Sequence, residues 1–392
     1  MSTSPFVRDP STRRLFDDGY DLALIGNHLI VRRVPYVTTE KVVAYGCLAY
    51  PITLSGHEIK DESGDHRIWF IGDQPCDQDG RPLPGPSAEG RAITPSLSAS
   101  YMISSKPKSG SYPNQYDKVT SYVRIVSHPA IALDISVTAT PGAAWQEVED
   151  DLPFVYRDTA SSRAGLAVLN SKFRGHKIGI VGLGGTGSYI LDQVAKTWVD
   201  AIELFDGDVF DNHNAFRAPG AADIEDLKLR LNKAEYFAGI YSHMHTGITA
   251  HDVYIDRENL ELLADCTFVF VAAADAQEKP EIITWLRNRG IPSIDVGMGI
   301  RDEGGQLSGL LCSTSYFPQQ AGAEQSVAAT TAGGGQNEYD RNIQTADLNS
   351  LNAMLAVINW KKYLAYYADH APAAETVYKI YTGEIRNGVA ES

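Results

Sequence analysis

The residues of this sequence that could do chemistry begin with a cluster of glycines. A short apolar run with Ile178, Ile180 and Val181 is typical of a buried parallel strand, and an apolar helical pattern follows from Tyr189 onward. Between the two lie Gly182, Gly184, Gly185 and Gly187. A strand, a glycine turn and a helix start bring backbone N–H groups and the positive end of a helix dipole to one point, which favours a bound phosphate. We expect the missing side chains to let the backbone approach that phosphate closely.

An acidic residue follows at the distance that a nucleotide requires. The next apolar run, Ala201 to Phe205, predicts a second strand, and Asp206 comes directly after it, where a ribose hydroxyl would lie. Glycine turns of this kind are common, so this motif alone predicts only a nucleotide or dinucleotide site.

The segment DGDVFDNHNAFR, which begins at Asp206, resembles the second signature of the ThiF/MoeB/HesA family, the ATP-dependent activators of ubiquitin-like proteins. In that family a D-x-D pair, a V-x-x-S/H-N step and an arginine follow the second strand. The residues in register with this pattern, without insertion, are Asp206, Asp208, Asn214 and Arg217. The sequence departs from the family at Phe210 and Ala218, where valine and glutamine are preferred, and these changes affect packing more than chemistry.

Two later positions extend the resemblance, which covers roughly Arg163 to Trp360. Lys233 stands where the family keeps a lysine on the next helix, and Asp275 stands where it keeps an aspartate after the fourth strand. The resemblance implies an enzyme that takes ATP and the C-terminal glycine of a ubiquitin-like protein and makes an acyl-adenylate and pyrophosphate. Such a site mainly positions its substrates and neutralises phosphate charge.

The resemblance also implies a role for each matching residue. Asp206 would accept hydrogen bonds from the ribose, and Arg217 and Lys233 would counter the charge on the β- and γ-phosphates. Asp275 would hold Mg²⁺, a cation that prefers carboxylate and phosphate oxygens. Asp208 and Asn214 would support the phosphate and metal shell. The structural alternatives are a turn cap at Asp208, a backbone-bonded Asn214 and a solvated Lys233.

Partners are implied by the same resemblance. In the family, an arginine on the helix before the glycine loop reaches the ATP of the other subunit of a dimer; Arg163 is the best-placed candidate here, with Arg157 and Arg174 nearby. The polar, glycine-rich stretch at about 315–341 corresponds to the crossover loop that passes over the tail of the ubiquitin-like protein. A conjugating enzyme, and a bacterial ubiquitin-like pathway such as one of phage defence, complete the implied setting.

The cysteines leave open whether a thioester forms. They are widely spaced, at Cys47, Cys76, Cys266 and Cys312, so we expect no structural zinc, no disulfide framework and a reducing cytoplasm. Many relatives move the acyl group to a cysteine of the crossover loop, but no cysteine follows Ser313. Either the adenylate goes directly to an acceptor, or Cys312, or Cys76 in a turn-rich loop that we expect to be exposed, serves as nucleophile.

Two other functions fit part of the sequence. An NAD-dependent oxidoreductase would use the same glycines and Asp206, but it gives no reason for Arg217, Lys233 and Asp275 to follow in that order. A catalytically silent scaffold could keep the fold and bind a ubiquitin-like partner. Phosphate-facing charges that are intact favour the enzyme over this scaffold.

The elements that must position these residues alternate between strand and helix from His176 onward. This order predicts an α/β, Rossmann-like, mainly parallel sheet with helices on both faces. We expect helices over Ser162–Phe173, Ile224–Met244 and Asn342–Asp369. The last of them carries a stripe that we interpret as core or dimer interface: Ala346, Leu348, Leu351, Met354, Leu355 and Ile358. VYKIYTGEI near the end predicts a terminal strand.

The first 155 residues differ from the rest. Alternating, β-branched runs separated by turn residues predict a β-rich accessory domain of unknown role at 1–155, followed by a ThiF-type adenylation domain at 156–392. A short helix near Pro10 opens it. It resembles the extension fused to some bacterial ThiF-type proteins.

Bulk composition excludes other classes. The chain has 392 residues, 43% of them hydrophobic, and a formal net charge of −15, which argues against a nucleic-acid partner because phosphate backbones are held by basic surfaces. No apolar run approaches the roughly 20 residues of a membrane span, and the N-terminus lacks a signal-peptide core. We therefore expect a cytoplasmic protein.

Overall fold

The computed structural model describes residues 9–55, 58–60, 65–147, 152–164, 166–273, 278–318 and 343–388. The chain divides into two compact units. The first contains Met1–Asp151 and Tyr156–Ser171, and the second contains Leu152–Val155 and Lys172–Ser392.

The first unit is built on a seven-stranded sheet of order β11-β1-β2-β3-β6-β10-β7, which is antiparallel except where β11 pairs with β1. Its elements are α1 (Pro10–Asp17), β1 (Asp21–Ile25), β2 (His28–Val37), β3 (Val43–Pro51), β4 (Thr53–Ser55), β5 (Glu58–Lys60), β6 (Ile68–Ile71), β7 (Pro86–Ser87), β8 (Arg91–Thr94), β9 (Leu97–Ala99), β10 (Tyr101–Ile103), α2 (Gln115–Leu133), β11 (Ala144–Glu147), α3 (Thr159–Ala164) and α4 (Ala167–Asn170). The prediction of a β-rich N-terminal domain is confirmed, and the structure adds that its main sheet is largely antiparallel.

A long helix in this unit was missed by the sequence interpretation. Helix α2 has 19 residues, begins after the capping side chain of Asn114 and contains Pro129. Its β-branched residues and its proline favour other structures, so propensity did not reveal it. Burial on the sheet decides the outcome, because Val119, Tyr122 and Val126 are fully buried in the core of this unit.

The second unit has an eight-stranded sheet of order β14-β13-β12-β15-β16-β17-β18-β19. Its elements are a 3₁₀ turn (Ser171–Phe173), β12 (Lys177–Val181), α5 (Gly185–Val194), β13 (Ala201–Phe205), α6 (Asn212–Ala215), α7 (Ile224–Leu229), α8 (Lys233–Tyr241), β14 (Ile248–His251), a 3₁₀ turn (Leu260–Leu263), β15 (Phe268–Val271), α9 (Lys279–Asn288), β16 (Ser293–Asp302), β17 (Leu307–Tyr316), α10 (Ala346–Tyr363), β18 (Glu375–Lys379) and β19 (Glu384–Gly388).

The sheet is parallel from β14 to β16 and antiparallel beyond. Alternate residues of β12 point to opposite faces, and both faces are covered. Ile178 and Ile180 belong to a core that includes residues of α5, α8 and α10, whereas Val181 packs with Ile282 and Leu286 of α9. The predicted Rossmann-like sheet with helices on both faces is confirmed.

Several predicted elements differ in detail. The helix expected over Ile224–Met244 is wrong: Arg230 adopts a left-handed conformation with φ 49° and ends α7, and the Asn232 side chain then caps α8. The helix expected over Ser162–Phe173 is broken into α3, α4 and a 3₁₀ turn. The terminal strand is a hairpin, β18–β19, and β16 continues through the GMG segment to Asp302.

The buried face of α10 is not the apolar stripe that the sequence indicated. Its buried residues are Asn349, Asn352, Ala353, Ala356, Val357 and Trp360. Ile358 of the predicted stripe is 43% exposed. The predicted crossover loop, about 315–341, lies almost entirely outside the described residues, which leave out 319–342. Among the helices that the structure describes, none is long and apolar enough to cross a membrane.

Candidate functional site

The strand ends at Val181, Phe205, His251 and Val271 stand level with one another in the parallel sheet. We call this line the carboxyl edge. It is the place where ligands bind in open α/β sheets, since the loops after the strands diverge there. The predicted glycines follow the strand end at Val181, and the predicted polar residues from Asp206 to Lys233 follow the strand end at Phe205.

Most glycines of the loop after β12 are required by the protein's own packing. Gly182 has φ 88°, and a Cβ there would lie 2.8 Å from the backbone nitrogen of Ala273. A Cβ on Gly187 would lie 1.9 Å from the carbonyl oxygen of Gly182, and one on Gly185 would lie 1.9 Å from Nδ2 of Asn349. Gly182 and Gly187 therefore require glycine whether or not a phosphate is bound, and a side chain at 185 would have to displace that of Asn349.

Gly184 differs from its neighbours because it faces open space. No atom of the described residues lies within 4 Å of a Cβ built on it. It is also the N-cap residue of α5, and it provides no side chain to bond the first N–H groups of this ten-residue helix. The N-terminus of a helix without a side-chain cap offers backbone donors and a positive dipole to an anion. The predicted phosphate contact is thus geometrically open at Gly184.

Asp206 holds the glycine loop in place. Its carboxylate is buried, and it accepts hydrogen bonds from the backbone N–H of Leu183 at 2.6 Å and of Asp208 at 2.9 Å. Burial raises the pKa of this carboxyl, against the opposing effect of the Lys233 charge. Each carboxylate oxygen has a second lone pair, so the ribose contact expected of Asp206 is compatible with this backbone role.

Lys233 and Asp208 form the ionic centre of the site. Lys233 is 5% exposed, so the alternative of a solvated helix lysine is wrong. Its Nζ lies 2.5 Å from Oδ2 of Asp208 and 3.8 Å from Oδ1 of Asp206. Burial raises the pKa of Asp208, but hydrogen bonds from Lys233 and Tyr254 outweigh it and leave that pKa below its ordinary value.

Asn214 and Arg217 carry buried donors that lack partners. Oδ1 of Asn214 accepts a hydrogen bond from the N–H of Asp211, which agrees with the alternative that Asn214 bonds the loop backbone. Its buried Nδ2 has no partner among the residues that the structure describes. Nε of Arg217 is likewise buried without a partner, and burial lowers the pKa of its guanidinium. Buried polar groups are usually bonded, and these two donors lie in one segment where an acceptor oxygen of a ligand could pair with them.

This segment lies beside the glycine loop. The Asn349 side chain of α10 contacts Gly185 and lies 3.4 Å from the carbonyl oxygen of Arg217, to which it donates. The hydroxyl of Tyr189 on α5 donates to the carbonyl of Ala218. The structure thus brings together the loop, Asp206, Asp208, Asn214, Arg217 and Lys233.

Two predicted site residues cannot be placed in this way. Asp275 lies outside the described residues, which end at Ala273 and resume at Glu278. Arg163 is a residue of α3, but only its backbone is described and not its side chain. Their roles stay predictions.

The cysteines offer no activated thiol. The prediction of an exposed Cys76 is wrong, because this residue is fully buried beside Val37 and Ala130. Cys312 is half-buried on β17, where it pairs with Gly297 of β16. Burial raises its pKa to about 11, which keeps the thiol protonated and disfavours a nucleophile.

Sequence reasoning missed three residues that shape the site. Asn232 donates to the carbonyl oxygens of both Asp206 and Asp208, Asn349 supports the glycine loop, and Tyr254 donates to Asp208. Asn232 had a usable signal, since an asparagine before a charged helical segment is a common N-cap. Asn349 reaches its partner Thr186 across 163 residues of sequence, which no local pattern reveals.

The fold and the carboxyl-edge site define a Rossmann-like nucleotide-binding domain. The profile of the ThiF family matches residues 158–364, and that of a domain of unknown function, DUF6791, matches residues 10–159. Since the first match spans more than half of the 392 residues, the chain belongs to the ThiF family. Membership supports an adenylyltransferase-type enzyme that uses ATP.

Solved structures with similarity to the chain include Escherichia coli MccB with ATP, at 18% identity and a TM-score of 0.47, covering 59% of this chain and 71% of that one. MccB with AMPCPP and MccA gives 17% identity and a TM-score of 0.48, with the same coverage of 59% and 71%. PaaA gives 18% identity and a TM-score of 0.45, covering 57% of this chain and 76% of that chain. No curated protein matches the chain.

Proposed function

We propose that the second unit adenylates the C-terminal glycine of a ubiquitin-like protein or similar peptide at the expense of ATP. The observation that carries this proposal is the pair of buried, unpartnered donors, Asn214 Nδ2 and Arg217 Nε, beside the open helix N-terminus at Gly184. Donors alone, without acceptors, match a ligand that is rich in acceptor oxygens. A triphosphate is such a ligand, and the ThiF profile covers this segment.

The charges around the site are consistent with this ligand. Arg217 has only donors and cannot lose its charge at physiological pH. In the part of the chain that the structure describes it makes no ion pair, so its guanidinium can bind phosphate oxygens in a bidentate manner. Lys233 would contribute a second positive charge from within the protein. Asp206 would bind the ribose while it continues to hold the loop at Leu183.

The reaction needs little covalent chemistry from the protein. A carboxylate oxygen of the peptide attacks the α-phosphorus of ATP, the bond to the bridging oxygen breaks, and pyrophosphate leaves with the electron pair. Arg217 and Lys233 would stabilise the negative charge that grows on this leaving group. Asp275 would hold Mg²⁺, which supplies further charge neutralisation, and Asp208 and Asn214 would orient the surrounding groups.

The wider setting belongs to the same proposal. A ubiquitin-like partner in a bacterial conjugation pathway, a homodimer in which Arg163 reaches the partner's nucleotide, and a role in phage defence all follow from the family pattern alone. The high pKa of Cys312 favours direct transfer of the adenylate to an acceptor over a thioester on that residue.

Exchange of radioactive pyrophosphate into ATP tests the proposal. With a peptide or ubiquitin-like protein that ends in glycine, the full chain should catalyse exchange. Arg217→Ala should reduce it at least 100-fold, or about 3 kcal/mol, because it removes charged hydrogen bonds to the leaving group. A matched control is Arg301→Ala, which removes an exposed arginine that pairs with Glu303 and should change exchange less than twofold.

The outcome separates the alternatives. Arg217→Ala that retains exchange would show that the role of this residue is wrong. Nucleotide binding without exchange, with any glycine-ended partner, would favour the silent scaffold. Enhanced NADH fluorescence on addition of the protein would favour the oxidoreductase, which the ThiF match does not support.

A further inference from the structure

The Asp208 carboxylate is held at both of its oxygens. Oδ2 accepts from Nζ of Lys233 at 2.5 Å, and Oδ1 accepts from the hydroxyl of Tyr254. Lys233 is buried, whereas the Asp208 side chain is 52% exposed. A half-exposed carboxylate with one anchored oxygen could still rotate, so the second donor determines where Oδ1 points.

Two contacts define the surroundings of Tyr254, which is 56% exposed. A Cβ on Gly207, the residue between the two aspartates, would lie 2.5 Å from the Tyr254 ring, so the ring occupies the space that a side chain would need. The carbonyl oxygen of Tyr254 accepts a hydrogen bond from Asn259 Nδ2 at 2.8 Å. The hydrogen bond to Asp208 raises the pKa of the Tyr254 hydroxyl to about 12, which keeps it a donor.

Arg217 is a cation near Asp208 that could take Oδ1 if the Tyr254 hydroxyl were absent. Its guanidinium is close enough to Asp208 for the carboxylate charge to raise the pKa of Arg217, against a larger lowering by burial. Even so, the two side chains form no ion pair, and among the described residues Asp208 forms its salt bridge with Lys233. An arginine that pairs with Asp208 would commit one or two of its five N–H donors, and part of its charge, to that carboxylate instead of a phosphate.

We infer that Tyr254 is a positioning residue, whose hydroxyl holds the Asp208 carboxylate away from Arg217 and so leaves the guanidinium free for the nucleotide phosphates. This inference rests on the proposed function. It gives a reason for the glycine at position 207 of the D-G-D segment, since a larger residue there would displace the Tyr254 ring. It also assigns Lys233 a shared role, as the second anchor of the same carboxylate.

The chain contains a matched control. Asp192 on α5 accepts hydrogen bonds at Oδ1 from Nζ of Lys196 at 2.6 Å and from the hydroxyl of Tyr241 at 2.9 Å, so it is a second aspartate with a lysine and a tyrosine donor, although here both donors share one oxygen. Asp192 lies seven residues beyond Gly185, or about 10 Å along the helix axis, away from the open N-terminus. Removing the hydroxyl of Tyr241 therefore tests the loss of a tyrosine–aspartate hydrogen bond at a place away from the candidate site.

Calorimetric titration of the full chain with MgATP tests the inference through a double-mutant cycle. Tyr254→Phe should weaken ATP binding about tenfold, the equivalent of about 1.4 kcal/mol, because ATP must then break a new Asp208–Arg217 pair. In the Asp208→Asn background the same substitution should change affinity by less than about twofold, since no carboxylate is left to compete. Tyr241→Phe should also change it by less than about twofold.

Three results would overturn the inference, and they are distinguishable. An equal loss of affinity from Tyr254→Phe in both backgrounds would show that Tyr254 does not act through Asp208. A lowered unfolding midpoint with unchanged ATP affinity would assign Tyr254 a structural role only. Failure of the unmodified chain to bind ATP would overturn the proposed function, and the inference with it.

Discussion

Each unit of the chain buries a lysine almost completely, and the two lysines have opposite surroundings. Lys118 on α2 is 4% exposed and Lys233 on α8 is 5% exposed. Nζ of Lys118 donates to the carbonyl oxygen of Asp65 at 2.8 Å and lies 4.3 Å from the centre of the Tyr50 ring. Nζ of Lys233 instead lies beside the carboxylates of Asp206 and Asp208.

The difference separates a structural lysine from one that serves a site. A buried ammonium without a carboxylate partner loses hydration that a carbonyl and a ring replace only in part, and burial lowers the pKa of Lys118 to about 8. The charge of a lysine between carboxylates is balanced by partners within the protein. A charge that is retained at an open carboxyl edge can act on a phosphate, whereas a charge enclosed by a core cannot.

The largest expected effect comes from removing the charge at the carboxyl edge. Lys233→Met should leave Asp206 buried without its counter-charge and should lower the free energy of unfolding by about 3 kcal/mol. It should also weaken MgATP binding by at least 100-fold, or about 3 kcal/mol, because a phosphate contact and an anchor of Asp208 are lost together. Chemical denaturation and calorimetric titration measure the two effects. A variant as stable as the unmodified chain would contradict the ion-pair assignment.

The opposite sign is expected at Lys118. Lys118→Met should raise the free energy of unfolding at pH 7 by about 2 kcal/mol, since an apolar side chain of similar length avoids the desolvation cost of the charge. ATP affinity should stay unchanged. Denaturation of both proteins by urea, followed at the same pH, checks this. If Lys118→Met were destabilised at pH 7, the carbonyl of Asp65 and the ring of Tyr50 would compensate fully for the burial of the lysine charge.

The same variant gives a pH dependence with a definite sign. Because the folded-state pKa of Lys118, about 8, lies below its ordinary value of 10.5, the unfolded chain binds more protons at this group between those pH values. The unfolding free energy of the unmodified chain should therefore rise with pH across that window, relative to Lys118→Met, by up to about 3 kcal/mol. Below pH 8 the difference between the two proteins should be flat. A difference that is independent of pH from 7 to 10 would contradict the lowered pKa.

The smallest effect is expected from an exposed lysine. Lys196 pairs with Asp192 at 2.6 Å, but its side chain is 47% exposed. Lys196→Met should change the free energy of unfolding by less than about 0.5 kcal/mol, because surface ion pairs contribute little, and it should not change ATP affinity. The denaturation and titration used for Lys233 apply. A large loss in either would mean that ion pairing itself, rather than burial at the carboxyl edge, distinguishes Lys233.

Much of the second unit could be predicted because its signals are local. The apolar strand before Gly182, the glycines and Asp206 follow one another within 30 residues, and buried parallel strands are recognisable as apolar runs. The break between α7 and α8 could not be predicted in this way. Arg230 turns into the left-handed region without a glycine or proline to mark it, and this turn brings Lys233 to the first position of a helix beside Asp208.

The rest of the site depends on contacts between distant parts of the chain. A side chain at 185 would displace that of Asn349, and one at 207 would displace the ring of Tyr254. The sequence motif attributed all of the loop glycines to a phosphate, whereas in the structure only Gly184 is left open by the protein itself. In the first unit, α2 was missed because burial against the sheet overrides its unfavourable helix propensity.

The central claim is that unpaired donors at the carboxyl edge bind the phosphates of ATP. Titration of MgATP into the unmodified full chain, Arg217→Ala and Arg301→Ala tests it most directly. The account predicts binding by the unmodified chain and by Arg301→Ala with equal affinity, and binding at least 100-fold weaker, or about 3 kcal/mol, for a folded Arg217→Ala. Equal affinity of all three proteins, or no binding by the unmodified chain, would contradict it.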